Sequence, residues 1–195
     1  MRLFVALDID NEIRQRITRF LEGVEPFAPD ARWAKPESLH VTLKFIGEQP
    51  EAALDQITRT LETVRVPVTE INFRGYGFFP TAKSARVLWV GMETGPELAA
   101  LAGAIDAQMP ALGIAQETRP FSPHLTLARA PGGSGAPHRR KSDKANRVFQ
   151  HLQEKLAALP TPEFGTMTPH EFSLYQSHLS PKGSTYTKLQ RFALR

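Results

Sequence analysis

Two stretches of nine residues in this chain follow one pattern, and this repeat constrains the fold more than any other feature. They span residues 35–43 and 119–127, and both read basic-Pro-x-Ser-x-His-aliphatic-Thr-Leu. One histidine stands at the same place in each copy, His40 in the first and His124 in the second. The repeat predicts a duplicated structural unit, with too few copies for a solenoid.

Alternation along a strand separates the side chains of each copy into two faces, because residues two apart point to the same side. A histidine and a threonine then share one face, and two aliphatic residues share the other. The polar pairs are His40 with Thr42 and His124 with Thr126, and the aliphatic pairs are Val41 with Leu43 and Leu125 with Leu127. We expect the aliphatic pairs to enter the core and the polar pairs to face a cleft.

Two imidazoles across one cleft are the minimal apparatus for acid and base catalysis near neutral pH, because the pKa of histidine is about 6.5 in model peptides. One ring can take a proton from an attacking hydroxyl while the other donates a proton to the leaving oxygen. The threonine hydroxyls can donate hydrogen bonds to an oxyanion, and a tetrahedral phosphate suits such a site. A single His-x-Thr is usually structural, but its duplication with both polar residues favours function.

Other catalytic chemistries fit the sequence less well. The chain has no cysteine, which excludes disulfides, thiolate metal ligands and a cysteine nucleophile. It contains no closely spaced His-x-x-x-His pair of the kind that binds zinc and no Gly-x-Ser-x-Gly nucleophile elbow. We therefore predict no metal and no cofactor.

Composition is ordinary for a globular protein of 195 residues, with 41% hydrophobic and 23% charged residues. The apolar runs are too short to span a bilayer, and the N-terminus lacks the pattern of a signal peptide. We expect a cytoplasmic monomer. The net charge of +4 is mild evidence for an anionic partner such as nucleic acid.

The order of predicted elements favours an α+β fold with two similar lobes whose sheets face one another. Hydrophobic periodicity places a helix before and after each motif strand. We predict strands over residues 2–7, 31–35, 39–46, 71–78, 86–92, 122–129, 171–177 and 185–194, and helices from the cap Asp10 to Val24 and over residues 50–64, 95–109 and about 144–159. We expect residues 1–195 to form a single domain of two intertwined lobes, with motif one at 40–43 and motif two at 124–127.

At these residues the chain resembles the two-histidine (2H) phosphoesterase superfamily, and within it the bacterial and archaeal RNA 2′,3′-cyclic phosphodiesterases, also called 2′-5′ RNA ligases. The similarity also includes the opening residues 2–7, residues 77–80 and the tail around Tyr175 and Tyr186. It implies a bilobal, pseudo-twofold fold of two antiparallel sheets around a central groove, with helices outside. It also implies metal-independent opening of RNA 2′,3′-cyclic phosphate ends to a 2′-phosphate, and the reverse 2′-5′ ligation.

The resemblance further assigns a role to each residue of the two motifs. His40 is then the proton donor and His124 the proton acceptor, and Thr42 and Thr126 hold the phosphate oxygens. The sequence alone cannot order the two histidines, because the motifs are nearly equivalent. Arg129 is a further substrate-binding candidate, but in a regular strand it shares the face of Leu127 and reaches phosphate only if the strand bends or ends.

Aromatic and basic residues outside the motifs are candidates for RNA binding. Phe45, Phe78 and Phe79 could stack a terminal base, and we expect two of the three to pack in the core instead. The basic segment 138–144, within the loop 131–147, is by default a solvated loop, although its position would let it contact RNA phosphates.

Two alternative functions stay open. The chain could be a non-catalytic RNA-binding module that kept the groove. It could also catalyse another phosphoesterase reaction, such as the processing of tRNA-splicing cyclic phosphates or the opening of a small cyclic nucleotide.

Overall fold

The computed structural model describes residues 1–67, 69–132, 147–181 and 183–195. Within these residues, alternating and helical hydrophobic patterns form strands and helices largely where they were predicted. The strands are β1 (Arg2–Asp8), β2 (Arg32–Trp33), β3 (His40–Glu48), β4 (Ile71–Phe79), β5 (Val87–Thr94), β6 (Leu125–Arg129), β7 (Glu163–Met167), β8 (Glu171–Ser180) and β9 (Gly183–Ala193). The α-helices are α1 (Asn11–Val24), α2 (Leu54–Leu61), α3 (Pro96–Gln108) and α4 (Gln150–Ala157).

The strands form two antiparallel sheets, which confirms the predicted α+β class. The first sheet has the order β3-β1-β8-β9, and the second has the order β2-β6-β5-β4-β7. Apart from the edge strand β2, the second sheet repeats the arrangement of the first, with β6 in the place of β3 and β5 in the place of β1. The two motif strands therefore occupy equivalent positions in two similar sheets.

Contacts between the sheets bring the two motifs together. Strands β3 and β6 contact each other, α3 packs on β3, and α1 packs on β7 of the other sheet. Buried side chains from both sheets and from the helices form one continuous apolar cluster. The aliphatic residues of both motifs, predicted to enter the core, are all buried there.

One charged side chain is buried beside this core. Lys44, in the first motif strand, is only 7% exposed, and its Nζ lies 2.6 Å from Oδ1 of Asp106 on α3. The same ammonium donates a hydrogen bond of 2.9 Å to the carbonyl of Ala115. Asp106 in turn accepts a hydrogen bond of 3.0 Å from the backbone N–H of Glu117. This ion pair ties β3 to the segment that leads into the second motif.

Some predicted boundaries were wrong. Strand β7 was missed because its five residues include Gly165, which has a φ of 112° and breaks the alternation. Strand β6 begins at Leu125 rather than Ser122, because Pro123 has no N–H to donate to a ladder. Helix α2 is shorter than predicted and follows a 3₁₀ turn. The side chain of Asp10 makes no capping hydrogen bond to α1.

The C-terminal helix and the basic loop were predicted in a region that is only partly described. Helix α4 begins at Gln150, later than the predicted start at Lys144. Residues 133–146, which include the basic segment 138–144, lie outside the described residues. No helix in the described ranges is long and apolar enough to cross a membrane.

Candidate active site

The same hydrogen bond holds the two motif histidines. Nδ1 of His40 lies 2.7 Å from the carbonyl oxygen of Ser38, and Nδ1 of His124 lies 2.8 Å from the carbonyl oxygen of Ser122. Because a carbonyl can only accept, each ring donates its Nδ1–H and leaves Nε2 for another partner. Nε2 then carries a lone pair when the ring is neutral and a proton when it is charged.

A β-bulge in each motif strand changes the face to which the residues after it point. In the pairing of β3 with β1, Leu43 has no partner residue, and Leu127 is left out of the pairing of β6 with β5 in the same way. A bulge of one residue shifts the inward and outward alternation by one position. Phe45 and Arg129 consequently return to the face of the motif histidine and threonine. Arg129 therefore does not share the face of Leu127, as a regular strand would require.

Each histidine packs against a phenylalanine. The ring centroids of Phe4 and His40 are 4.9 Å apart, and those of Phe79 and His124 are 5.0 Å apart. Tyr186 of β9 also meets His40 edge-on at 5.0 Å. Both imidazoles are therefore packed against aromatic rings.

The prediction for the three candidate stacking residues was partly wrong. Phe78 packs in the core, with its ring 5.5 Å from that of Phe149. Phe79 instead contacts His124, and Phe45 is 64% exposed. Two of the three therefore line the histidine side of the sheets, because the strand β4 presents alternate residues to opposite faces.

Burial lowers the pKa of both imidazoles. The pKa of His40 falls to about 4, since desolvation outweighs the hydrogen bond to Ser38. Desolvation also lowers the pKa of His124. The positive charge of Arg129 adds to the lowering at both rings, so its guanidinium lies within electrostatic reach of each. Both rings are neutral at pH 7 in the free protein, and an anion bound between them would raise the pKa of each.

The structure places the predicted site residues on, or directly before, two strands that contact each other. His40 and Thr42 come from β3, and Thr126 and Arg129 come from β6, with His124 directly before β6. Both threonines are half-buried. The two strands contact each other, and the charge of Arg129 reaches both histidines. Two imidazoles, two hydroxyls and one guanidinium are therefore carried by neighbouring parts of the two sheets.

Three polar side chains beside His40 were not predicted. Asp8 is the cross-strand partner of His40, and its carboxylate accepts hydrogen bonds from the hydroxyl of Tyr175 and the ammonium of Lys188. The strands that carry these residues come from opposite ends of the chain, so the sequence does not indicate that they are neighbours. The one sequence signal for a polar site here is Asp8 itself, an acidic residue directly after the apolar alternation of residues 2–7.

Side chains suited to a metal ion do not cluster in the part of the chain that the structure describes. It contains no group of three or more histidine, aspartate or glutamate residues that could hold an ion. The polar groups around the two histidines are thus hydroxyls, the guanidinium of Arg129 and, beside His40, the carboxylate of Asp8 with the ammonium of Lys188.

Comparison with known proteins agrees with this geometry. A family model described as "LigT like Phosphoesterase" matches the chain twice, over residues 7–89 and 90–186. Each match contains one His-x-Thr motif. The chain belongs to this family. The predicted membership of the 2H phosphoesterases is confirmed, and so is the prediction that the chain is an enzyme of this class.

Relatives of this family match the whole chain. A protein of Archaeoglobus fulgidus named RNA 2′,3′-cyclic phosphodiesterase is 34% identical over 192 residues, which cover 98% of this chain and 99% of that protein. One of the same name from Methanothermobacter thermautotrophicus is 33% identical and covers 100% of this chain and 99% of its own. The crystal structure of E. coli LigT complexed with 3′-AMP has a TM-score of 0.76 at 28% identity, covering 99% and 97% of the two chains.

Proposed function

We propose that this protein hydrolyses the 2′,3′-cyclic phosphate at an RNA end to a 2′-phosphate, by acid and base catalysis with His40 and His124. One observation carries the proposal: both rings are anchored through Nδ1 to a backbone carbonyl, which leaves two Nε2 atoms for one groove. The names of the relatives from A. fulgidus and M. thermautotrophicus support the choice of substrate.

In the proposed reaction, His124 acts as the base. Its Nε2 takes a proton from water, and the water oxygen forms a bond to phosphorus. The bond between phosphorus and O3′ breaks, and His40 donates the proton on Nε2 to the leaving O3′. Both proton transfers are of the kind that contribute typically 10² to 10⁴-fold each. The product carries its phosphate on O2′, and the proton on His124 returns to solvent.

The remaining polar groups bind the phosphate. Thr42 and Thr126 donate hydrogen bonds from their hydroxyls to the two non-bridging oxygens, and Arg129 supplies a positive charge. The anionic phosphate raises the pKa of a buried imidazole, which lets His40 carry a proton near neutral pH although its pKa is about 4 in the free protein. Residues of both sheets are needed for this site, so we propose that the two lobes work as one domain.

With an RNA 5′-hydroxyl as the nucleophile instead of water, the same groups join RNA ends. A 5′-hydroxyl takes the place of water, His40 and His124 keep their proton-transfer roles, and a 2′-5′ phosphodiester forms as P–O3′ breaks. This step needs no nucleotide cofactor, because the strained cyclic phosphate supplies the leaving group. We propose ligation as a side reaction of the hydrolase, since water is present at a far higher concentration than RNA ends.

The test uses an oligoribonucleotide that ends in a 2′,3′-cyclic phosphate, incubated with the protein in excess EDTA. The proposal predicts a product that carries only a 2′-phosphate, at a rate that the chelator does not change. A 3′-phosphate product, or loss of activity with EDTA, would contradict the mechanism. Binding without turnover would favour an RNA-binding module, and faster turnover of a cyclic mononucleotide would favour a small-molecule substrate.

A further inference from the structure

One difference between the two half-sites lies directly across the strands from the histidine. In the first sheet, Asp8 pairs across the strands with His40. In the second sheet, Val90 pairs with Leu125, so the next residue along the ladder, Gly91, stands opposite His124. A carboxylate thus lies next to one imidazole, and a residue without a side chain lies next to the other.

The backbone prevents a side chain at the second position. A Cβ atom at Gly91 would lie 2.5 Å from the carbonyl oxygen of Arg74, which is closer than any real side chain approaches. The neighbouring strand, β4, is fixed there by its pairing with both β5 and β7. The half-site of His124 therefore cannot hold the equivalent of Asp8.

The carboxylate of Asp8 is held in place and kept charged. Tyr175 and Lys188 donate hydrogen bonds to its two oxygens, and the ring of Tyr175 stacks on Phe4 at 5.2 Å. Burial opposes ionisation, but the hydrogen bonds and the charge of Lys188 outweigh it and lower the pKa of Asp8. Asp8 is therefore ionised at neutral pH and directed by two fixed donors.

We propose that Asp8 is a positioning residue whose negative charge favours the protonated form of His40, and that it has no counterpart beside His124. The inference rests on the proposed function and deepens it, because it names a group that helps His40 to act as the acid. Asp8 makes no hydrogen bond to the ring of His40, since Nδ1 is taken by Ser38. It acts through its charge.

Charged and titratable groups reach His40 from several elements. They are Asp8 of β1, Arg14 of α1, Arg129 of β6, Tyr175 of β8, and Tyr186 and Lys188 of β9. The two arginines disfavour a proton on His40, and Asp8 favours it. At His124 the charge that acts is that of Arg129, which disfavours the proton. At His40 a carboxylate therefore opposes the arginine charges in part, whereas no carboxylate among the described residues does so at His124.

Substrate binding is a poor alternative role for Asp8. A carboxylate beside a phosphate site repels the anion and weakens binding. Neutralising Asp8 should consequently leave KM unchanged or lower it, whereas losing a proton donor lowers kcat. A residue that only supports the fold would change neither the split between kcat and KM nor the pKa of one histidine.

The direct experiment is an NMR titration of the two imidazoles, in the free protein and with saturating inorganic sulfate as a non-titrating stand-in for phosphate. Asp8→Asn should lower the pKa of His40 by roughly 0.5 to 1 unit, at the low end for one nearby charge because Lys188 neutralises part of it. The pKa of His124 should stay the same. Asp8→Glu keeps the charge and should hold the pKa of His40 closer to the parent value.

Glu171→Gln is the matched control, because Glu171 lies on the same face of the first sheet and pairs with Arg191 at 3.7 Å. It should leave both imidazoles unchanged. Equal shifts at both histidines, no shift at His40, or the same shift in Asp8→Glu as in Asp8→Asn would overturn the proposal. The titration needs no turnover, so it can fail or succeed independently of the proposed hydrolysis.

Kinetics of Asp8→Asn on the cyclic-phosphate oligoribonucleotide complete the test. We expect kcat to fall about 10-fold, the effect of one pKa unit on a proton donor, with KM unchanged or lower. A rise in KM at unchanged kcat would place Asp8 in substrate binding and overturn its role as a positioning residue.

Discussion

Phe45 and Arg129 occupy equivalent places in the two halves of the protein, each two residues beyond the bulged leucine of its motif strand. One is an aromatic ring that is 64% exposed, and the other is a half-buried guanidinium whose charge reaches both histidines. The duplicated backbone thus presents two different side chains to one groove, one suited to a base and one to a phosphate.

Replacing Arg129 should impair binding of the substrate phosphate. We expect Arg129→Met to lower kcat/KM about 10-fold to 100-fold, the loss of one charge-assisted hydrogen bond. The same change removes a positive charge near the histidines and should raise the pKa of both. Steady-state kinetics and an NMR titration check the two effects. Arg32→Met is the control, because Arg32 is the exposed cross-strand neighbour of Arg129; an equal loss in both variants would contradict a specific role.

Replacing Phe45 should weaken binding of the terminal base. Stacking on an aromatic ring contributes about 1–3 kcal/mol per base, so we expect Phe45→Ala to raise KM with little change in kcat or in stability. Leu179 is equally exposed at 64%, and Leu179→Ala gives the matched control. An unchanged KM in Phe45→Ala would assign the ring to another role.

The position of Phe45 and Arg129 shows where prediction from the sequence ends. Periodicity was sufficient to predict most strands and the polar and aliphatic faces of both motifs, because a strand has a fixed period of two. A one-residue bulge breaks that period without a local sequence signal, so the face of Arg129 could not be predicted. The neighbours of Asp8 depend on strand order, which joins residues from the two ends of the chain.

Breaking the buried ion pair of Lys44 should destabilise the fold. Removing one partner leaves an uncompensated buried charge on Asp106, at a cost of about 3–5 kcal/mol. We expect Lys44→Met to lower the free energy of unfolding in urea by such an amount, and the double variant with Asp106→Leu to recover part of it. Arg191→Gln, which breaks an exposed pair, should cost less than about 1 kcal/mol. A similar decrease in the free energy of unfolding in Lys44→Met and Arg191→Gln would show that the buried pair stabilises the fold no more than the exposed pair does.

The buried imidazoles should make stability depend on pH. In the unfolded chain a histidine has a pKa of about 6.5, whereas the pKa of His40 in the folded protein is about 4. Between these values the unfolded state binds more protons, so stability is fully present above about pH 6.5 and falls as the pH decreases towards 4. Urea unfolding at pH 7.5 and pH 5 measures the change, which should be smaller in His40→Gln. An equal change in the variant would mean that His40 is not the group responsible.

The most direct test of the account is the rate at which single-histidine variants open a cyclic phosphate at an RNA end. We expect His40→Ala and His124→Ala each to lower kcat at least about 10²-fold. The kcat of the double variant should be only slightly lower than that of either single variant, because the two groups act as one unit. His151→Ala, a change at an exposed histidine of α4, should keep the parent rate. Full activity in either single variant, with the fold intact, would contradict the claim that the two motifs form one site.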